Sequence, residues 1–397
     1  MVIGSNTNHE LCNKRCDKKM IYYLCPYSIS AEVTAQRNLI VSQAACNRIN
    51  EIVNTISEKT DVTIVSNALS QSTIPIEECV QNINSRCNAY FPFISGSKNQ
   101  NLEMIASIIS YVNKNIKKGD SIVFYNAHYL MLPVICAFCR NKSIKIVYQI
   151  EEFYSTSDYY GGMKKRLLEF TESCFSKMCD VYIAVSETLT NKHLVKKPHI
   201  ISYGYVDPVI LENYVEKVPG DRLNIVYAGR LDVDGGIDVL LRVIPRINFK
   251  CNVVITGNGP LRDSVLNYTN KNPLVNIDYR GFVDDQELDL ILQKADVCLS
   301  MLRADKAFSQ KSFPSKVIKY LSYGNLVISS DVPALNDLKN LFPNLLIYNN
   351  EEKFSQLINE GAAIVPKMNK TKQKNNFDHF YNKKRKELSS FFAKMKA

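Results

Sequence analysis

No stretch of the 397 residues stays apolar for the roughly 18 positions that a membrane-spanning helix needs. The longest apolar runs, such as Tyr129–Cys139, are core-sized. The opening MVIGSNTNHELCNKRCDKK is polar and has no secretory h-region, so a cytoplasmic protein is expected, soluble or peripheral on the inner face of the cell membrane. Twelve cysteines in a chain of this length do not make a disulfide scaffold. Cys12 with Cys16, and Cys136 with Cys139, are close pairs, and His9 and His128 lie near them, but neither pair completes a zinc ligand set. The thiols therefore read as buried or inert, and no metal is expected. There is no G-x-G-x-x-G and no G-x-x-x-x-G-K-[ST], which removes the dinucleotide fingerprint and the P-loop. No repeat of fixed period emerges.

A uniform basic surface is also missing. The net charge is +10, yet residues 366–397 alone hold ten Lys and Arg against two acids. A near-neutral body with a basic tail does not read as a nucleic-acid binder.

What is present is ordinary globular composition, 46% apolar and 22% charged, at a length that suits two domains. Short β-branched runs alternate with helix-period stretches. In the first half, strands are expected at 20–25, 61–65, 121–125, 144–150 and 180–185, with helices at 31–57, 100–116, 128–140 and 161–177. Gly204, Pro208, Pro219 and Gly220 interrupt the rhythm over 203–222, which reads as an interdomain connection. Strands then resume at 223–228, 251–256, 275–280, 296–301, 326–330 and 344–348. The helices between and after them are expected near 236–247, 260–270, 284–294, 314–323, 334–341 and 351–359. Asp284 with Glu287 resembles a capping box, Pro314 suits a first helical turn, and Gly324 suits a left-handed stop. The alternation predicts an α/β fold of two Rossmann-like doubly wound domains facing across a cleft. The expected division is an extension over 1–19, a first domain over 20–202, a second over 223–365, and a basic tail over 366–397.

Three turns carry candidate chemistry. Gly229-Arg230 ends the first strand of the second unit, where glycine permits close approach and arginine suits a phosphate. Gly257-Asn258-Gly259-Pro260 follows the next strand and opens a helix. Phe313-Pro314-Ser315-Lys316 begins another helix, offering free N–H groups with a hydroxyl and an ammonium. In the first unit, Glu151 and Glu152 end a strand, and a carboxylate there can orient or deprotonate an acceptor hydroxyl. His128 also follows a strand end and is a further acceptor-side candidate.

The order AGRLDVDGGIDVLL, VVITGNGPL, IDYRGFVDDQELDLILQKADVCLSM, FPSKVIKYLSYGNLVISSDVPAL resembles the donor-binding domain of family 4 glycosyltransferases, which are retaining enzymes of the GT-B fold. The resemblance is clear over roughly 200–348 and fainter before it. It implies a nucleoside-diphosphate sugar as donor, with no further cofactor, and a saccharide or lipid-linked acceptor in cell-surface polysaccharide synthesis. Carried over by position, Arg230 would contact the donor diphosphate, and Gly257 and Gly259 would form the glycine-rich turn. The backbone near Val283 would meet the nucleobase, and Ser315 and Lys316 the diphosphate and sugar.

Several positions depart from the pattern. Lys311 and Lys319 stand where the family has two Glu, the second of them on the ribose, so Lys319 could donate to ribose but not accept from it. Gly235 replaces a basic residue, so Lys316 is left to supply phosphate charge. Pro26-Tyr27-Ser28-Ile29-Ser30 replaces a glycine-rich loop, and Glu151 stands near the family's N-terminal His. These departures leave open a catalytically silent GT-B subunit serving as partner or scaffold. A nucleotide-sugar epimerase is another alternative, although no acid/base set for it is visible.

In the tail, Phe377, Phe380, Tyr381, Leu388, Phe391, Phe392 and Met395 fall on one helical face, with Lys383, Lys384, Arg385 and Lys386 opposite. This predicts a closing helix packed on the body, which the resemblance implies would cross back to the first domain, or one attracted to an anionic membrane surface.

Overall fold

A computed structural model describes residues 19–141, 143–156, 161–204, 206, 220–305 and 309–395. The expected extension, apart from Lys19, and most of the expected connection lie outside these residues.

The strands of the first half are β1 (Met20–Cys25), β2 (Leu39–Ile40), β3 (Asp61–Ser66), β4 (Leu69–Ser70), β5 (Cys79–Asn84), β6 (Cys87–Phe91), β7 (Ser121–Tyr125), β8 (Lys145–Ile150), β9 (Val181–Ala184) and β10 (His199–Ile201). Eight of them form one sheet in the order β10-β9-β8-β7-β1-β3-β6-β5, parallel except for β5, while β2 and β4 pair separately as an antiparallel ribbon. The helices here are α1 (Ala31–Gln36), α2 (Gln43–Ser57), α3 (Gln100–Asn115), α4 (Leu132–Phe138) and α5 (Gly162–Met178). The inner strands are buried along nearly their whole length, as in β3 (DVTIVS). A parallel sheet covered on both faces demands such unbroken apolar runs.

The second half contains β11 (Leu223–Ala228), β12 (Cys251–Thr256), β13 (Val275–Gly281), β14 (Val297–Ser300), β15 (Leu326–Ser330) and β16 (Leu345–Tyr348). All are parallel, in the order β13-β12-β11-β14-β15-β16. Its helices are α6 (Ile237–Val243), α7 (Arg262–Leu266), α8 (Asp285–Lys294), α9 (Lys316–Ser322), α10 (Asn336–Lys339) and α11 (Glu351–Ile364). Asp284 caps α8 by accepting from Glu287 N at 2.8 Å, and Gly324 adopts φ +68° after α9. Pro314 lies just ahead of α9, whose N-cap is Ser315.

Some expected elements change. The helix read over 31–57 divides into α1 and α2, because Asn38 turns left-handed (φ +46°) and the chain makes β2 between them. The β5–β6 hairpin was not anticipated. α7 is shorter than 260–270, and the closing helix, α12 (Lys370–Lys394), begins seven residues before the apolar stripe because Asn369 caps it by accepting from Lys372 N.

The helix α12 crosses back to the first half. Phe377 and Tyr381 join a core shared with α9, while Leu388 and Phe392 join a core formed by β1, β3 and α2. Each of these four side chains is at most 3% exposed, a burial worth about 1.5–3 kcal/mol per large apolar side chain. Arg385 donates to Thr55 Oγ1 at 3.1 Å and to Glu58 at 3.4 Å on or next to α2. The apolar face of the tail is thus used in packing. Among the described residues, no helix is long and apolar enough to cross a membrane.

Candidate functional site

In a doubly wound sheet, a crevice opens where neighbouring strands send their connections to opposite faces. In the second sheet this point lies between β11 and β14. A cavity of about 500 Å³ occupies it, lined by Tyr227–Arg230 at the end of β11, Leu299–Leu302 at the end of β14, and Phe313–Lys316 before α9. Asp232, Asp234, Gly235 and Ser309 complete the lining.

The turn after β11 is held tightly. Tyr227 Oη reaches the carbonyls of Arg230 (2.8 Å) and Gly235 (3.0 Å), and Gly235 N donates to Asp232 Oδ1 at 2.7 Å. A Cβ on Gly235 would meet Arg230 O at 2.4 Å, so this closed turn has no room for a basic side chain. Arg230 lies at the cavity mouth, half-exposed, with Nε 2.7 Å from Asp232 Oδ2.

Gly257 and Gly259 do not line the cavity; they pack behind the turn. With φ +124°, Gly257 sits so close that a Cβ would fall 1.7 Å from Gly229 O, and one on Gly259 would fall 2.4 Å from Leu231 O. The glycine-rich turn therefore lets two loops touch and fixes where Gly229 and Arg230 stand. Val283, half-buried at the end of β13, is likewise outside the lining.

Lys316 enters the cavity from the start of α9. Its Nζ lies 3.3 Å from where a Gly229 Cβ would be. Among the described residues, it has no ion-pair or hydrogen-bond partner. The residue is surrounded by protein, which pushes its pKa down to about 8, yet its surface opens to solvent through the cavity. Ser315 is exposed beside it. Lys319, one turn on, points elsewhere: its Nζ is 2.7 Å from Asp289 Oδ1 on α8.

The acceptor-side candidates gather at the carboxyl end of the first sheet. Glu152 forms an isolated antiparallel bridge with Ser312, between Lys311 and the Phe313–Lys316 segment of the cavity. The two halves therefore meet where the sequence placed donor and acceptor groups. Burial, with Glu151 and Glu172 nearby, raises the pKa of Glu152. Glu151 is fully engaged: Arg48 Nε lies 3.1 and 3.3 Å from its two oxygens, and Gln149 Nε2 donates at 2.6 Å. His128 caps the turn Tyr129–Met131, accepting from Leu130 N at 3.4 Å, and stacks on Tyr129. Burial lowers its pKa, keeping the ring neutral near pH 7.

Two residues that organise this end were not anticipated. Arg48 is almost fully buried and also donates to Glu51 (2.7 Å), to Ser202 O and Oγ, and to the carbonyls of Tyr203 and Gly204. Burial alone would lower its pKa, but Glu151 and Glu51 outweigh that and raise it. The clue was a basic and an acidic residue, Arg48 and Glu51, set three apart among the apolar positions of α2. Asn126 (φ +53°) accepts from Glu151 N at 2.8 Å and from Glu152 N at 3.4 Å, so it aims both acids. An asparagine directly after a strand was the only signal for it. Tyr27, in the segment that replaces a glycine-rich loop, is only 1% exposed, and its hydroxyl donates to Asn50 at 2.8 Å. Among the described residues, no three His, Cys, Asp or Glu side chains are grouped to hold a metal ion.

Comparison with known proteins fits this geometry. Residues 222–361 match the family described as Glycosyl transferases group 1. An "Uncharacterized 41.2 kDa protein in cps region" of Klebsiella pneumoniae is 27% identical over 259 residues, covering 60% of this chain and 68% of that protein. Sucrose-phosphate synthase from Thermosynechococcus elongatus shares the architecture with a TM-score of 0.66 at 12% identity, over 94% of this chain and 98% of that one. The lipopolysaccharide outer core galactosyltransferase WaaB gives 0.61 at 13%, over 95% and 100%. WaaG, a glycosyltransferase involved in lipopolysaccharide biosynthesis, gives 0.59 at 10%, over 94% and 100%. The chain thus has the two-domain GT-B architecture of these structures, and residues 222–361 of its second half match the group 1 glycosyltransferase family.

Proposed function

We propose that the protein is a retaining glycosyltransferase of family 4 type. It would move a sugar from a nucleoside-diphosphate sugar to a hydroxyl of a saccharide or lipid-linked acceptor. The observation that carries this reading is the Lys316 ammonium over Gly229, which has no partner among the described residues, with Arg230 at the mouth of the same cavity. Two cations and the free N–H groups at the start of α9 suit a diphosphate, and they act most strongly as charge develops on it while it leaves. In the front-face reaction, the acceptor oxygen bonds the anomeric carbon as the carbon–phosphate-oxygen bond breaks. The acceptor proton passes to the departing phosphate oxygen, so no metal or further cofactor is required. Gly257 and Gly259 support the donor turn from behind, and Ser315 adds a hydroxyl beside the diphosphate. Glu152, facing the donor segment through Ser312, orients the acceptor hydroxyl. Glu151 contributes indirectly, since its oxygens are held by Arg48 and Gln149. The names of the similar folds WaaB and WaaG support a cell-surface saccharide as acceptor, met at the cytoplasmic side of the membrane.

The pairing of Lys319 with Asp289 favours a second reading, a binding-only GT-B subunit, because the expected ribose contact is turned away. A screen of UDP-, GDP- and TDP-sugars separates the readings. One donor should stabilise the protein thermally and be consumed with a saccharide acceptor, whereas stabilisation without turnover supports the silent subunit. Arg230→Ala should weaken donor binding about tenfold or more, as loss of a charge-assisted hydrogen bond implies. Binding unchanged by that substitution would remove the diphosphate assignment.

A further inference from the structure

The helices α5 and α12 each carry apolar and basic residues, and the structure treats them differently. The apolar face of α12 is consumed in packing, whereas α5 leaves a stripe bare. Leu168, Thr171, Glu172 and Phe175 turn α5 inward, and Glu172 is held by Ser155. On another side, Met163, Leu167 and Phe170 recur at i, i+4 and i+7 and are 87%, 43% and 60% exposed. Tyr129, 40% exposed, extends this surface on the adjoining turn, against which α5 packs. Exposed large apolar residues are unremarkable singly, but a continuous stripe on one helix marks an interaction surface.

The flanking charge indicates what covers it. At 100° per residue, Arg166 and Lys177 border the stripe on one side, and both are exposed. Lys164 and Lys165 add to the positive charge of α5, and Glu169 is its one exposed acid. A narrow apolar ridge with a basic border matches a helix lying in the interface of an anionic bilayer. The position fits as well. Tyr129 stacks on His128, at the acceptor end of the cleft, so the ridge borders the mouth through which a lipid-linked acceptor would enter.

We propose that the face formed by α5 and the Tyr129 turn, and not the basic tail, is the surface by which this protein docks on an anionic membrane. The inference names a partner for the reaction proposed above, but it stands on exposure and charge alone.

The test uses the full chain and phosphatidylcholine vesicles with and without phosphatidylglycerol, with no donor or acceptor present. Its failure therefore leaves glycosyl transfer untouched. Wild-type protein should sediment with the anionic vesicles and be released by salt. The exposed double substitution Met163→Glu/Phe170→Glu should weaken binding about tenfold or more, with an unchanged circular dichroism spectrum. Removing Arg166 and Lys177 as Gln should cost about fivefold per charge, whereas Lys383→Gln/Lys386→Gln on α12 should leave binding unchanged. Wild-type protein that ignores anionic vesicles overturns the proposal, as does a double variant that binds like wild type or an α12 variant that loses as much. If the chain self-associates without binding vesicles, and the double variant is monomeric, the face belongs to a protein partner and the proposal fails.

Discussion

The two halves share one architecture but treat their switch points in opposite ways. Between β11 and β14, the strand ends diverge around a cavity of about 500 Å³, and the Lys316 ammonium in it has no partner among the described residues. Between β1 and β7, the corresponding region is spanned by a chain of hydrogen bonds that runs from Tyr23 through Gln149 and Glu151 to Arg48. Tyr27, just past β1, is buried against α2 and hydrogen-bonds Asn50. The doubly wound sheet offers a crevice twice, and side chains decide which one receives a ligand. Uncompensated charge marks the open one and compensated charge the closed one. Arg48, at the end of this hydrogen-bonded chain, also grips Ser202, Tyr203 and Gly204, where the polypeptide leaves for the second half.

The largest effect should come from breaking the compensated network. Arg48→Met leaves Glu51 and Glu151 buried without their cation, and removal of one partner from a buried pair costs about 3–5 kcal/mol. Chemical denaturation should show the loss, and a change below about 1 kcal/mol would mean that the network is not what holds the first half together. Next, Tyr27→Ala should cost about 3 kcal/mol by emptying a packed aromatic site, again read by denaturation. Donor-nucleotide affinity should not change if the open crevice alone binds the donor. A variant that retains its stability but loses nucleotide binding would reverse the assignment of the two crevices.

The fold was legible where burial is continuous along the chain. β11, β12 and β15 fall at the residues expected because parallel strands covered on both faces write themselves as apolar runs. The β5–β6 hairpin was hidden because β5 (CVQNIN) is an edge strand, polar and half-exposed. The break after α1 was hidden because Leu39 and Ile40 continue a helix-like apolar pattern while serving as a strand. At the site, Gly229, Arg230 and Lys316 were legible because each follows a strand or opens a helix locally. Arg48 and Asn126 were not, because apart from Glu51 their partners lie 25 to 156 positions away.

The smallest effect tests the open crevice through its charge. Burial has pushed Lys316 down to about 8, from an ordinary lysine value of 10.5. The ammonium is the form that attracts a diphosphate, and it is present below that pKa and lost above it. Donor-nucleotide affinity should therefore be fully developed near pH 6.5 and fall as pH rises through about 8, by roughly tenfold at pH 9.5 if one charge-assisted contact is lost. Lys316→Met should bind the nucleotide about tenfold more weakly at pH 6.5 and show a flat response between pH 6.5 and 9.5 in the same titration. If the variant keeps the wild-type slope, the titrating group lies elsewhere and the uncompensated ammonium is not what distinguishes the second crevice from the first.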